Sequence, residues 1–138
     1  MAEAWARKRI AERLEIPVES LHEFGFVLES MGVQAGHGSP PSRLAVQVLK
    51  ELGVDLSGHR SRAALSRDLL AFDRLYCMTR AHREDLALAL PPGKTQHIEV
   101  LDPDGSDIPD PIGGTRDDYA DALARIRAAI ERRLPEWA

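Results

Sequence analysis

The sequence predicts an α/β fold, a parallel sheet with helices on both faces, and three observations lead there. Short apolar runs alternate with longer stretches of helical periodicity, the runs are too short to be helices, and clusters of Gly, Pro and Ser separate the segments. Ala2, Ala6, Ile10 and Leu14 lie one helical turn apart, so the chain opens as a helix that ends before Pro17. Residues 24–30 read as a buried strand. Residues 36–41 form a loop that leads to Ser42 as an N-cap, and the helix that follows places Ala45, Val46, Leu49 and Leu52 on one face. Gly53 stands where a helix end wants a positive φ, residues 57–60 make a further connection, and Ser66 is suited to cap a short third helix. The apolar run at residues 75–78 is a strand; Thr79 caps the next helix, which Pro91, Pro92 and Gly93 terminate. A last strand is expected at residues 97–101. Thr115 and Asp118 then form a capping-box signature ahead of Tyr119, Leu123, Ile126 and Ile130. The order is α-β-α-α-β-α-β-α, and ligands of such a sheet collect beyond the carboxyl ends of its strands.

Length and composition bound the function. At 138 residues and 15.3 kDa the chain makes one domain, residues 1–138, with 43% hydrophobic residues and no run suited to a membrane span. A net charge of -4 gives no electrostatic reason to expect nucleic acid. Cys77 is alone, which excludes an internal disulfide, and the opening residues lack the basic and apolar regions of a signal peptide. A cytoplasmic protein is expected. His22, His37, His59, His82 and His97 are scattered and no Cys/His pair has ligand spacing, so neither a metal nor another cofactor is expected.

The most informative stretch is Asp107-Ile108-Pro109-Asp110-Pro111-Ile112-Gly113-Gly114. Two prolines and two glycines in eight residues exclude a helix or a central strand, and the segment immediately precedes the long terminal helix. A loop on such a rigid base can present an Asp as a proton donor; the same spacing also fits an ordinary turn with Asp110 as a local cap.

Three segments, Asp55-Leu56-Ser57-Gly58-His59-Arg60-Ser61-Arg62, then Met78-Thr79-Arg80-Ala81-His82-Arg83, then Asp107 to Gly114, resemble the low-molecular-weight protein tyrosine phosphatase family in order and spacing, over essentially the whole chain. The resemblance implies a flavodoxin-like parallel sheet flanked by helices. It makes Asp110, the Asp of the family's Asp-Pro pair, the general acid, with Pro111 fixing its approach. Ser30 matches a serine and His59 a buried histidine that support the phosphate loop, although Met31 stands where Ala is usual. Ile112 lies where some members carry an aromatic lip for a phenyl phosphate, and His37 lies in the loop of the other lip. The Asp-Pro-Ile-Gly-Gly form is similar to the Asp-Pro-Phe-Gly-Gly of bacterial members, protein arginine phosphatases among them. The implied substrate is a phosphorylated protein or a small phosphate ester, with phosphotyrosine and phosphoarginine both open.

In the family the first strand runs into a phosphate loop with a Cys and an Arg five residues apart, followed by Ser-Pro-Met-Ala-Glu. The sequence opens at Met1-Ala2-Glu3, so the resemblance implies that this central strand, the nucleophilic Cys, the amide cradle and the Arg all lie outside it, and that three strands remain. Those parts carry the reaction: a thiolate in a nest of amides attacks phosphorus while the Arg neutralises the equatorial oxygens. Cys77 and Arg83 repeat the five-residue spacing, but their segment has no glycine or small residues to converge amides on phosphate, and Glu84 stands where the signature has Ser or Thr. Cys77 is expected to be a buried, unreactive thiol. The related arsenate reductases need further cysteines and are excluded for this chain.

Two accounts compete: a phosphatase whose sequence begins after its phosphate loop, and a pseudophosphatase that binds without turnover. Loss of about five buried apolar side chains at roughly 1.5–3 kcal/mol each removes about 10 kcal/mol, comparable to the roughly 5–15 kcal/mol that holds a domain together. The 138 residues alone are therefore expected to be unstable, prone to aggregation, or completed by another strand, which favours the first account.

Overall fold

The computed structural model describes residues 1–32, 38–63 and 66–138. Its order is α1 (Ala2–Leu14), a 3-10 helix (Val18–Phe24), α2 (Arg43–Lys50), α3 (Ser66–Ala71), β1 (Leu75–Cys77), α4 (Arg80–Ala89), β2 (Ile98–Val100) and α5 (Arg116–Trp137). The helix ends follow the expected chemistry. Ser42 accepts the amide of Ala45, Thr79 that of His82, and Thr115 with Asp118 closes a reciprocal capping box. Gly53 has φ +77° just beyond α2. Ser66 opens α3, but its side chain lies outside the described residues.

The two strands form a parallel ladder, Leu75 opposite Ile98 and Cys77 opposite Val100. Pairing continues past the carboxyl ends of the two strands: Leu101 donates to the Cys77 carbonyl at 2.8 Å, and Ile108 to that of Met78 at 2.9 Å. The loop after β2 is thereby tied to the carboxyl end of β1, which fixes where residues 109–114 can reach.

The strand expected at residues 24–30 needs correction. Residues 18–24 wind into a 3-10 helix closed by Gly25, and residues 26–31 run on outside any ladder. Phe26, Leu28 and Ser30 are half-buried while Val27 and Glu29 are exposed, so the period-two pattern that suggested a strand is real. What is lacking among the described residues is a ladder partner; the nearest pairing is a single parallel bridge from Gly32 to Ala63. A strand is defined by its neighbour, and periodicity reports only the face it buries. In α2 the buried face is Ala45, Val48 and Leu49, with Val46 at its margin.

The main core joins Trp5, Ile10, Leu21, Leu49, Ile108 and Ile130 between α1, α2, α5 and the sheet. A smaller cluster of Leu69, Cys77, Leu90 and Ile98 covers the other face of the strands. Arg133, the buried charge of α5, donates to the carbonyls of Leu101 at 3.1 Å and Val100 at 2.9 Å and lies over the Tyr76 ring, anchoring α5 to the end of β2. Among the described residues no helix is long and apolar enough to cross a membrane.

Parallel packing of α1 on α5 is laced by Arg9, which pairs with Glu131 at 2.5 Å and with Glu12. Hydrogen bonds from Lys8 and from Arg9 hold the carboxyls of Glu12 and Glu131 respectively below their ordinary 4.5. Depressed carboxylates stabilise above the unfolded value and lose that effect as pH falls through the folded one. Glu131→Gln is expected to lower stability by about 0.2–1 kcal/mol near pH 7, a gap that closes below about pH 4.5 in urea melts of both proteins.

Candidate functional site

The candidate residues fall into two groups. The first gathers at the tip of α1. The Ser30 hydroxyl donates to Glu3 Oε2 at 2.6 Å, and His59 Nδ1 stands 3.8 Å from the same oxygen. Ser30 and His59, expected as separate supports, meet on one carboxylate. His59 is half-buried, with 31% of its side chain exposed, and in this it departs from the expected buried histidine. Glu3 belongs to no motif that spacing singles out, and its one signal in the sequence is an acidic side chain in the first turn of a helix. Met1 caps α1 without a side-chain hydrogen bond, so the first amides of this 13-residue helix have no side-chain acceptor at the cap and suit an anion.

The second group is the loop at residues 109–114. Asp110 is exposed, and its Oδ1 accepts the amide of Ile112 at 3.0 Å, a turn that sets the side chain against its own backbone. The cap-like geometry and the exposed carboxyl therefore coexist. Gly113 takes φ +79°, and a Cβ on Gly114 would stand 2.9 Å from the Pro111 carbonyl, so both glycines are required by the turn. Asp107 Oδ1 accepts the Arg80 amide at 2.9 Å, fastening the start of the loop to the start of α4. Ile112 is 76% exposed at the outer edge. His37 lies outside the described residues.

Asp110 lines a surface hollow of about 420 Å³ with Pro109 and Ile112 of the loop and Asp118, Asp121 and Arg125 of α5. Among the described residues no hydrogen bond or ion pair joins it to Ser30, His59 or Glu3, and Glu3 and His59 border a different hollow. The helices relate the two groups. Trp5 stacks under Arg127, Arg9 pairs with Glu131 and Arg13 reaches the Ala138 carbonyl, so α1 and α5 run parallel with Arg9 beside a residue 122 positions later. At 1.5 Å per residue, α5 starts about two turns, or roughly 10 Å, ahead of α1. Its overhanging turns carry Asp118 and Asp121, placing the hollow of Asp110 level with the space ahead of the α1 tip.

Cys77 belongs to neither group. It is 5% exposed in β1 with its side chain in the smaller core, and burial pushes its thiol up to about 11. Arg83, at the five-residue spacing, donates through Nε to the Ile98 carbonyl at 3.1 Å and packs α4 on the sheet. At pH 8 on the order of one thiol in a thousand is ionised. An aromatic disulfide reagent is expected to leave Cys77 unmodified in the native chain and to label it fully once urea unfolds the protein; rapid native labelling that vanadate blocks would contradict its burial and mark it as a nucleophile.

The tip of α1 can hold an anion, with a bonded serine and a histidine beside it, and the exposed Asp110 carboxyl in its own hollow can give or take a proton. Among the described residues no cluster of His, Cys, Asp or Glu is placed to hold a metal ion. The family model described as low molecular weight phosphotyrosine protein phosphatase matches residues 1–138. A protein-arginine-phosphatase of Geobacillus stearothermophilus is 31% identical over 112 residues, 78% of this chain and 74% of that protein. Among solved structures, a low molecular weight protein tyrosine phosphatase from T. tengcongensis superposes with a TM-score of 0.83 at 25% identity, covering 98% of this chain and 88% of that one. The arginine phosphatase YwlE from Geobacillus stearothermophilus superposes at 0.78 and 25% identity, covering 97% and 84%.

Proposed function

We propose, on the premise that this chain belongs to the low molecular weight phosphotyrosine protein phosphatase family, that its 138 residues supply the proton donor and the supports of a phosphoryl-transfer site but not its nucleophile. The observation that carries this reading is Asp110, exposed on a glycine-closed loop pinned to the end of β1, while the single thiol of the sequence is shut in the core. The chemistry needs a thiolate ahead of α1. It attacks phosphorus, the bond from phosphorus to the leaving oxygen or nitrogen breaks, and Asp110 gives its proton to that atom. Water then attacks the phosphocysteine, Asp110 takes back a proton, the S–P bond breaks and the thiolate returns. Glu3 holds Ser30 and stands beside His59, which in turn orient the anion cradle, and Ile112 forms an aliphatic lip at the entrance.

The substrate class we favour is phosphoarginine in proteins. The aliphatic lip offers no ring to stack on a phenyl phosphate, and a relative at 31% identity is named for arginine phosphatase activity. The single unpaired thiol suits a cytoplasmic protein. With the family's first strand and Cys-x5-Arg loop joined ahead of Met1, phosphoarginine peptides are expected to give a higher kcat/KM than phosphotyrosine peptides of the same sequence. The reverse order assigns the chain to the tyrosine branch.

A second reading, a catalytically dead binding module, draws on the same cluster: the Ser30 hydroxyl already finds a partner in Glu3, so it needs no loop to be satisfied. Failure of the joined protein to turn over any phosphate ester, while still binding phosphate, selects that reading.

A further inference from the structure

Arg125 lines the hollow of Asp110, and among the described residues it has no hydrogen-bond or ion-pair partner. The other arginines of α5 are all engaged: Arg116 pairs with Glu51, Arg132 with Asp104, Arg133 holds the strand-end carbonyls and Arg127 lies on Trp5. Asp121 stands one turn before Arg125, the i, i+4 order in which opposite charges ordinarily pair on a helix. The two do not pair, and both line the hollow instead. The remaining carboxylates there are occupied. Asp118 accepts the amide and hydroxyl of Thr115, and Asp110 accepts the Ile112 amide and must carry a proton to act.

Resting on the reading of Asp110 as the acid, we propose that Arg125 is a specificity residue, its guanidinium receiving a carboxylate of the protein substrate from an acidic side chain that flanks the phosphorylated residue. A planar guanidinium matches a carboxylate with two parallel hydrogen bonds, which gives direction as well as charge. The placement fits: the loop that carries the acid forms one wall of the hollow and the α5 face with Arg125 the other, so a peptide presenting its phosphorylated residue to Asp110 passes between them. Asp121, one turn nearer the loop, repels the same carboxylate from the inner wall and so confines it to Arg125.

The test uses the protein with the strand and Cys-x5-Arg loop joined ahead of Met1. Its turnover of an alkyl phosphate, and the loss of that turnover in Asp110→Asn, checks the reading on which the inference rests. Three phosphopeptides identical except for flanking Glu, Ala or Lys are then compared by kcat/KM. Glu is expected to exceed Ala by about fivefold at low salt, with the ratio shrinking as ionic strength rises. Arg125→Ala should abolish the preference for the Glu peptide, and Arg125→Glu should produce a clear preference for the Lys peptide, a gain that misfolding cannot produce. Alkyl phosphate turnover that depends on Asp110, with equal rates for Glu and Lys peptides, overturns the inference alone, as does a Glu preference that survives Arg125→Ala. A Lys preference abolished by Asp121→Asn overturns it in favour of Asp121. Alkyl phosphate turnover that is absent, or that Asp110→Asn leaves unchanged, instead strikes at the acid reading and removes this inference with it.

Discussion

The purified 138-residue chain is expected to hydrolyse p-nitrophenyl phosphate no faster than a buffer blank, and joining a strand with a Cys-x5-Arg loop ahead of Met1 is expected to raise turnover by several orders of magnitude. The reason is local. Covalent phosphoryl transfer requires a thiolate in a cradle of amides, and the one thiol present is buried in β1 and pushed up to about 11. The site that would receive a thiolate is otherwise prepared, with α1 offering the amides of its first turn and Ser30 and Glu3 already bonded at its tip. The added strand has a physical place as well. Residues 26–31 keep an alternating burial pattern with no ladder partner among the described residues, so the joined protein is expected to melt in a sharper transition and at higher denaturant than the 138 residues alone. Stopped assays with and without vanadate read the activity; thiol-dependent, vanadate-sensitive turnover by the unjoined chain contradicts the account.

Asp110→Asn in the joined protein is expected to lower kcat by about 10²- to 10⁴-fold while the affinity for phosphate or vanadate changes little. A neutral amide keeps the size of the side chain and can still accept the Ile112 amide, so the loop should hold its form. What is lost is the proton for the leaving atom and the base for the attacking water. Leaving groups that need no proton should hide much of the defect, so the loss is expected to be larger for alkyl phosphates than for p-nitrophenyl phosphate. Equal losses for both, or a parallel loss of vanadate binding, would place Asp110 in the loop's architecture instead of its chemistry.

Much of this was legible in the residues. Cap chemistry located the helix starts at Ser42, Thr79 and Thr115 because one side-chain oxygen satisfies an otherwise orphaned amide, a local requirement that needs no tertiary information. The Pro and Gly pattern of residues 107–114 likewise determined a loop in place. Residues 24–30 were misread because alternation reports which face is buried and not which strand lies alongside. Glu3 went unassigned for a related reason: its role comes from Ser30 and His59, 27 residues away in the first case, and only the fold brings them together. The free state of Arg125 was equally hidden, since spacing alone would have paired it with Asp121.

The most direct test locates the phosphoryl group. The joined protein is mixed with p-nitrophenyl phosphate, quenched with acid within milliseconds, digested and examined by mass spectrometry. The account predicts one phosphoryl group on the cysteine of the added loop and none on Cys77, with Cys77→Ala leaving that signal intact. Phosphoryl found on Cys77, or its loss in Cys77→Ala while the added cysteine stays unmodified, would contradict it.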